Sequence, residues 1–356
     1  MHVTGATVLH VPLVVAILVF APTPQGMATT TTPVSPRAET YVLADLGRGT
    51  MALAVNSSGQ AVGITQTPDG YEALLWDQRQ PVDLGTLGGA NTVPYDINDS
   101  GQVTGASKTA NGIERAFLWQ GGQMIDLGTL GGSASIGIGV NNDGQVVGLS
   151  TTAAEQELYG PGTRAFLWDD GRMIDLGTLG GEMSRAVGIN DAVQIVGEAM
   201  TATGETRAFL WEDGRMTDLG ALPGYVNSSV TDISDSGNVV GYSRGRERSG
   251  PRRATLWDRG QLIDLGGLPV DGDSAALGIN NLEQVVGQAT VNGGYRAVIW
   301  VEKKMVDLND RVPDGTSLLL EAASDIADNG RIVGSGSFAE ERRGFLLTPV
   351  REAEAG

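Results

Sequence analysis

The stretch from residue 140 to residue 177 decides the fold, and it reads VNNDGQVVGLSTTAAEQELYGPGTRAFLWDDGRMIDLG. Three blocks stand out in it: VNNDGQVVG at 140–148, RAFLW at 164–168 and DLG at 175–177. Versions of each block recur seven times along the chain, mostly about 43 to 49 residues apart. The third block begins at Asp45, Asp83, Asp126, Asp175, Asp218 and Asp264, with a degenerate DLN copy at Asp307. Such a period is typical of propellers and solenoids, so the chain is one repeat array.

Each repeat unit alternates apolar and polar residues with a period of two, which is typical of β-strands. In the third unit this pattern predicts strands near 135–141, 145–150, 164–169 and 172–177. Asn, Asp and Gly residues separate the strands and supply the positive φ angles that hairpin turns require. Four short antiparallel strands in about 43 residues match one blade of a β-propeller.

The two ends of the array complete each other. The seventh unit has predicted strands near 322–327, 331–336 and 343–348 but no DLG strand, while the first unit begins with a spare one at 41–47. We therefore predict an all-β, seven-bladed β-propeller of four-stranded antiparallel blades over 41–350, its last blade completed by the N-terminal strand. The alternative is a β-solenoid with two coils per unit, which would have no use for an exchanged strand.

The repeated motif is similar to one in a known family. In the second unit it reads Ile97-Asn98 followed by Gly101-Gln102, then Arg115-Ala116-Phe117-Leu118-Trp119 and Asp126-Leu127-Gly128-Thr129-Leu130-Gly131-Gly132. This pattern resembles the HAF repeat of extracellular bacterial repeat proteins and extends over almost all of 41–348. The resemblance implies secretion and a repeat architecture, and it brings no catalytic residues with it.

Composition excludes several kinds of chemistry. The chain has no Cys, and its two His residues, His2 and His10, fall within the predicted leader. The mature protein therefore has no residues for Ser-His-Asp or Cys-His catalysis, disulfides, or His- or Cys-based zinc and iron–sulfur sites. A net charge of −18 repels polyanions, so neither nucleic acid nor anionic lipid is an expected partner.

The N-terminus carries an apolar stretch of signal-peptide length, VLHVPLVVAILVFA at 8–21. We predict a signal peptide at 1–28, a Thr/Pro-rich linker at 29–40 and a short C-terminal tail at 351–356. A retained membrane anchor is the alternative. The mature protein is expected to be secreted, extracellular and monomeric, without membrane insertion.

Three Asp residues differ from the repeat consensus in the same place. Asp96, Asp232 and Asp325 precede the Ile-Asn step in units two, five and seven. If the first strand of each blade is innermost, they lie at one height around the central channel, where carboxylates could hold Ca²⁺. The alternative is three solvated residues that cap turns. No other cofactor is predicted.

The loop between the second and third strands varies most among the units. It is long in unit three, TTAAEQELYGPGT, and basic in unit five, SRGRERSGPRR. These loops share a face with the loops that join successive blades, so we predict the ligand there. Unconstrained drift of loop sequence is the alternative. The candidate ligand-binding residues are Glu155, Glu157, Tyr159, Tyr225, Arg244, Arg246, Arg248 and Arg252.

Two functions follow from this pattern. The first is a binding or interaction scaffold that recognises an extracellular polysaccharide, a cell-wall component or a protein, with no catalytic residues. The second is an extracellular glycan hydrolase or lyase, which would use the carboxylates of Asp96, Asp232 and Asp325 or a bound cation. A structural component of the cell envelope is a third reading.

Overall fold

The computed structural model describes residues 40–68, 70–78, 80–153, 158–246, 250–267 and 272–350. The first half of these residues forms strands β1 Tyr41–Arg48, β2 Thr50–Val55, β3 Ala61–Thr67, β4 Gly70–Asp77, β5 Gln80–Asp83, β6 Gly88–Ile97, β7 Val103–Thr109, β8 Glu114–Gln120, β9 Gln123–Asp126, β10 Gly131–Val140, β11 Val146–Thr152, β12 Thr163–Asp169, β13 Arg172–Asp175 and β14 Gly180–Ile189. The second half forms β15 Ile195–Thr201, β16 Thr206–Glu212, β17 Arg215–Asp218, β18 Asn227–Ile233, β19 Val239–Arg244, β20 Arg252–Asp258, β21 Gln261–Gly266, β22 Ser274–Ile279, β23 Val285–Val291, β24 Gly294–Val301, β25 Lys304–Asp307, β26 Leu319–Ile326, β27 Ile332–Phe338 and β28 Glu341–Pro349. Within the described ranges the helical content is one short 3₁₀ turn, Leu308–Arg311.

These strands form seven four-stranded antiparallel sheets, one per repeat unit. In six of the sheets four consecutive strands follow each other in order, and the seventh has the order β1-β28-β27-β26. The first strand of each repeat unit contacts the first strands of both neighbouring units, so these seven strands surround the central channel. The predicted seven-bladed β-propeller is therefore confirmed, and the solenoid alternative is wrong.

Strand β1 closes the ring as the sequence predicted. It pairs with β28 from Tyr41 opposite Pro349 to Asp45 opposite Phe345. The Tyr41 side chain is buried in the core of the last blade, and Arg343 Nη1 lies 2.7 Å from Asp45 Oδ2. The first and last parts of the chain thus share one sheet, so the last blade has four strands like the others.

The strand bounds differ from the prediction at both ends of a blade. In blade three the first strand starts earlier, at Gly131, and the fourth ends earlier, at Asp175. The fourth strand stops because Asp175 Oδ1 accepts a hydrogen bond from the Gly177 N–H at 2.8 Å, which turns the chain out of the sheet. The equivalent Asp caps the same turn in all seven DLG copies.

The Ile-Asn block joins neighbouring blades. In blade two, Asn98 Nδ2 donates to Gln102 Oε1 within its own turn, at 2.6 Å, and to the Asn141 carbonyl of the next blade, at 2.8 Å. The same arrangement recurs in blades one, three, four and six. We call this end of the propeller, which also carries the turns between third and fourth strands, the turn face.

The remaining repeated residues serve packing. Trp76, Trp257 and Trp300 are buried, and the other three Trp residues of the series pack partly buried against the clusters between blades. The repeated Gly of the second strand is required by a close approach: at Gly148 a Cβ atom would collide with the Ile136 carbonyl oxygen. The Trp series therefore serves packing within and between the blades.

The Arg that opens the third strand pairs with the Asp of the fourth strand in only part of the ring. Arg253 pairs with Asp264 at 2.7 Å, Arg343 with Asp45 and, more loosely at 3.9 Å, Arg296 with Asp307. In blade four, Arg207 pairs instead with Glu205, which directly precedes the third strand. These half-exposed pairs are worth about 1 kcal/mol or less each.

Candidate functional site

The blades differ most in one layer of side chains between the first and second strands. Across the antiparallel pairing, the residue after the repeated Gly of the second strand faces a residue of the first strand. From blade one to blade seven these pairs are Met51–Ile64, Val93–Ala106, Ile136–Leu149, Arg185–Glu198, Ser229–Tyr242, Ala275–Gln288 and Ala322–Ser335. The layer is apolar in the first three blades and polar in the last four. A feature that breaks the repeat in this way is a candidate for function rather than for folding.

A cavity of about 80 Å³ lies in the channel beside this layer. Every blade contributes a residue to its wall from the first strand: Leu53, Tyr95, Ile138, Val187, Thr231, Leu277 and Ser324. Arg185, Glu198, Val230 and Tyr242 complete the wall. The volume is enough for several water molecules or one small ligand.

A buried ion pair forms the polar side of the cavity. Arg185 Nη2 lies 2.9 Å and Arg185 Nε 3.2 Å from Glu198 Oε2, and each side chain is 7% exposed. Burial lowers the pKa of Arg185, but the adjacent Glu198 carboxylate more than offsets this and keeps the guanidinium charged. The second carboxylate oxygen, Glu198 Oε1, is buried and has no hydrogen-bond partner. The pair therefore presents an unused acceptor next to the cavity.

Two hydroxyl groups of the cavity wall are unpaired as well. Tyr95 is 8% exposed, and its Oη has no hydrogen-bond partner. The buried Oγ of Ser324 also has no hydrogen-bond partner. Burial, with smaller contributions from Tyr159 and Glu114, raises the pKa of Tyr95, so the phenol stays protonated. In the polar layer, both amide atoms of the fully buried Gln288 are also without partners. Unpaired buried polar groups are rare in folded proteins, so their concentration here needs a functional explanation.

Tyr159 connects a variable loop to this site. It belongs to the loop between β11 and β12 and packs against the hydrophobic cluster around the channel. Burial raises its pKa, and the positive charge of Arg185 partly opposes the rise, which places the phenol within electrostatic range of the ion pair. Among the predicted loop residues that the structure describes, Tyr159 is the one that packs against this cluster. Glu155 and Glu157 lie outside the described residues.

The basic loop of blade five is only partly available for a ligand. Arg252 donates to Asp273 through Nη2 at 2.8 Å and lies over the Tyr242 ring at 5.6 Å, so it holds Tyr242 in place. Arg244 is half-buried at the end of β19, and Arg246 is exposed. Arg248 lies outside the described residues. Tyr225 is half-buried in a turn, where its N–H donates to the Leu222 carbonyl.

The three Asp residues predicted to share one height do so, and each bridges two blades. Asp96, Asp232 and Asp325, which we call the channel aspartates, occupy equivalent bulges in the first strands of their blades. Each Oδ1 accepts the N–H of the following residue. Each Oδ2 accepts an N–H from the first strand of the next blade, donated by Val140, Ile279 and Val55 at 2.8–2.9 Å. Every carboxylate oxygen of the set therefore has a protein donor.

The channel environment disfavours the charge on these carboxylates. Burial raises the pKa of Asp96 to about 6 and that of Asp325 to about 7, and it raises the pKa of Asp232 well above the usual range. Repulsion between the channel aspartates adds to the effect, while the backbone N–H groups oppose it. Within the described ranges, no three His, Cys, Asp or Glu side chains are grouped to hold a metal ion. The Ca²⁺ site stays a prediction, which calorimetric titration with Ca²⁺ tests.

The turn face has a polar opening of about 310 Å³. It differs from the cavity because the polar groups along its rim are hydrogen-bonded to one another. Along its rim the N–H of one blade donates to a side-chain oxygen of the next in six successive links: Ser57 to Asp99, Asp99 to Asn142, Asn142 to Asp191, Asp191 to Asp235, Asp235 to Asn281 and Asn281 to Asp328. These side chains hold the blades together. Unpaired polar atoms of Tyr95, Glu198 and Ser324 belong to residues that line the cavity, which makes the cavity the better candidate for a ligand site.

Comparisons with known proteins agree on the fold. The β-propeller domain of the Trilobed protease from Pyrococcus furiosus is similar with a TM-score of 0.57 and 12% identity, over 86% of this chain and 93% of that one. The Pyrococcus horikoshii acylaminoacyl peptidase is similar with a TM-score of 0.53 and 13% identity. The match covers 85% of this chain and about half (52%) of the peptidase. The Trilobed protease domain is described as having an open velcro topology, whereas β1 closes the ring here.

Such low identities establish a shared architecture and nothing more. No family model and no curated protein sequence matches the chain. In the part of the chain that the structure describes, no helix is long and apolar enough to cross a membrane.

Proposed function

We propose that the chain is a secreted scaffold that binds an extracellular polysaccharide on its loop face. The loop face is the end of the propeller opposite the turn face, formed by the loops between second and third strands and those between blades. One observation carries the proposal: the frame is nearly uniform, yet the layer between first and second strands turns polar from blade four onward, and Tyr159 of the blade-three loop packs against the cluster around the channel. Recognition sites are commonly built as such local exceptions on a rigid frame.

The chemistry of these exceptions favours a glycan over a protein partner. Tyr159 and Tyr242 offer aromatic surface with a polar tip, which suits ligands that have both C–H faces and hydroxyl groups. The fully buried centre of a protein interface is usually more apolar than the rest of the surface. The large apolar side chains exposed in the described ranges, among them Val82, Ile113 and Phe338, are spread over different blades and form no single patch.

Secretion is part of the proposal because of the sequence. The apolar stretch at 8–21 and the resemblance to the HAF repeat support it, and residues 1–39 lie outside the described residues. The channel aspartates act in this proposal as bridges between blades, since both oxygens of each are engaged by backbone donors.

Retention of the purified protein on immobilised cell-wall and extracellular polysaccharides, at physiological salt with Ca²⁺ present, tests the proposal. We expect selective retention that Tyr159→Ala weakens about tenfold, which corresponds to about 1.4 kcal/mol. Lys303→Ser, an exposed change on the turn face, is the matched control and should leave retention unchanged. No retention on any polysaccharide, or equal loss in both variants, would contradict a glycan site on the loop face.

A further inference from the structure

We propose that a groove on the loop face, between blades one and two, binds a sugar unit that carries a protonated amino group. This inference rests on the proposed function and deepens it, because it names the class of glycan and the place where the glycan is recognised. Its basis is a groove of about 430 Å³ that is lined by a tyrosine ring and by two carboxylates, one of which replaces an Arg of the other six blades.

The groove is large enough for a sugar ring. The end of β3 and the loop after it contribute Thr67 and Pro68, and the connection between β5 and β6 contributes Gly85 and Thr86. The volume lies within the range of about 300–1,000 Å³ that is usual for small-ligand sites. A cavity of about 150 Å³ already holds a benzene ring. The groove therefore has room for a sugar ring together with its substituents.

The charge of the groove follows from one exception to the repeat. Each of the other six blades has an Arg near the start of the third strand, and in blades five, six and seven this Arg pairs with the Asp of the fourth strand. Blade one has Glu72 at this position, and the Asp of its fourth strand is Asp83. Two carboxylates thus stand where the other blades have opposite charges, and a cationic ligand supplies the missing partner.

The two carboxylates belong to one hairpin and are open to a ligand. Asp83 pairs with Leu74 across the hairpin, so Glu72 is its diagonal neighbour, within reach of a long side chain. Both side chains are exposed, unlike the buried unpaired atoms of the channel. Among the described residues, none forms an ion pair with either carboxylate, and the Gly85 N–H is the one group that donates to them, at 2.9 Å to Asp83 Oδ1.

An ammonium group fits this arrangement better than a hydroxyl group. It has three N–H donors and no acceptor, so it satisfies carboxylate oxygens without presenting a lone pair that they would repel. Its hydrogen bonds to carboxylates are charge-assisted on both sides and are therefore stronger than those of a neutral hydroxyl.

Tyr71 is fixed beside the carboxylates. Its N–H donates to Asn91 Oδ1 at 2.9 Å, and its side chain packs partly buried against the cluster around the channel. Gly70 permits this contact, since a Cβ atom there would collide with the Asn91 side chain. An aromatic ring offers an apolar surface to the C–H face of a sugar, and its π face attracts a positive charge. A sugar ring with an ammonium group uses both properties.

The charge of the whole protein acts in the same direction. The net charge of −18 attracts a polymer of amino sugars over a long range and repels an anionic one. Tyr71 and Tyr159 pack against the same cluster around the channel. The groove thus belongs to the face on which we place the polysaccharide.

Titration with a matched set of oligomers tests the ligand class. The probes are the glucosamine tetramer, its N-acetylated form, which has the same rings without the charge, and tetralysine, which has the charge without the rings. Calorimetry is done at a pH below the pKa of the sugar amine. We expect the glucosamine tetramer to bind more than about tenfold tighter than each of the other two, which is about 1.4 kcal/mol. Equal binding of either one, or no binding of the glucosamine tetramer, would overturn the proposal.

Variants of Glu72 link the binding to the groove. Glu72→Gln should weaken binding of the glucosamine tetramer about fivefold, the upper effect of one exposed ion pair. Glu72→Arg restores the residue of the other six blades, so it should abolish binding and leave the melting temperature unchanged. Glu302→Gln is the control, since it removes the same charge from an exposed position on the turn face. Equal losses in Glu72→Gln and Glu302→Gln, or full binding by Glu72→Arg, would refute the assignment.

The same variants separate this inference from the proposed function. Polysaccharide retention that is lost in Tyr159→Ala but kept in Glu72→Arg would leave a glycan-binding loop face and refute the groove. Binding of the glucosamine tetramer that depends on Glu72, without retention on any polymer, would support the groove and contradict the polysaccharide scaffold.

Discussion

Replacing Tyr41 with Ala should destabilise the whole propeller, because this side chain holds the closing strand. Tyr41 is 2% exposed and belongs to the same buried cluster as Phe345 and Leu347. Removal of a buried aromatic ring lowers the free energy of unfolding by about 3–5 kcal/mol, including the cavity that remains. The neighbouring Val42 lies on the same strand but is 49% exposed, so Val42→Ala should change stability by less than about 0.5 kcal/mol.

Urea denaturation followed by tryptophan fluorescence and by circular dichroism measures the difference. The Trp residues are distributed over six blades, so the fluorescence reports on most of the ring. We expect Tyr41→Ala to lower the urea midpoint by the same amount for both probes, because loss of ring closure destabilises all blades together. A Tyr41→Ala protein as stable as Val42→Ala, or one in which only the last blade loosens, would refute closure of the ring by β1.

Three further predictions concern the frame. The free energy of unfolding should fall as the pH rises from about 4 to about 7. The reason is that the folded-state pKa of each channel aspartate lies above the usual 3.8, so the folded protein binds more protons than the unfolded chain in this window. The pKa shift of Asp96 corresponds to at most about 3 kcal/mol of stability, which contact with channel water reduces. Thermal melts across this range should show the slope, and replacing one channel aspartate with Asn should flatten it; an unchanged slope would contradict the assignment. Asn98→Ala should lower the free energy of unfolding by about 2–4 kcal/mol, since it removes a buried bridge between blades, whereas the exposed Ser100→Ala should have little effect in the same urea titration. Gly148→Ala should lower the free energy of unfolding by about 1–3 kcal/mol, because the added Cβ meets a carbonyl oxygen. Gly245→Ala should leave it unchanged, because the space around Gly245 is open. Equal urea midpoints for the two variants would disprove the steric reason.

The architecture was predictable from the sequence because its causes are local and repeated. Alternation of residues gives strands, the DLG turn is capped by its own Asp, and a spare strand at 41–47 matches a missing one at the other end. The first strand starts earlier than predicted because Gly131, which lies outside the apolar pattern, still pairs with Thr152 of β11.

The site was harder to predict because it depends on pairing between strands. Arg185 and Glu198 are thirteen residues apart, and only the register of β14 against β15 makes them neighbours. A signal was present, since the residue after the repeated Gly changes from apolar to polar at blade four. The channel aspartates were placed correctly, but their bonds to the next blade are long-range and no local pattern contains them. The pairing of Arg252, a candidate ligand-binding residue, with Asp273 is also long-range and could not be read from the sequence.

Hydrogen exchange in the presence of a retained polysaccharide tests the central claim most directly, because it reports which end of the propeller the ligand covers. We predict slower exchange of the amides around Tyr159, in β14 around Arg185 and in β19 around Tyr242, with no change in the turns that carry Asn98 and Asn190. Protection confined to the turn face, or protection of neither end, would contradict a ligand site at the loop face and its cavity.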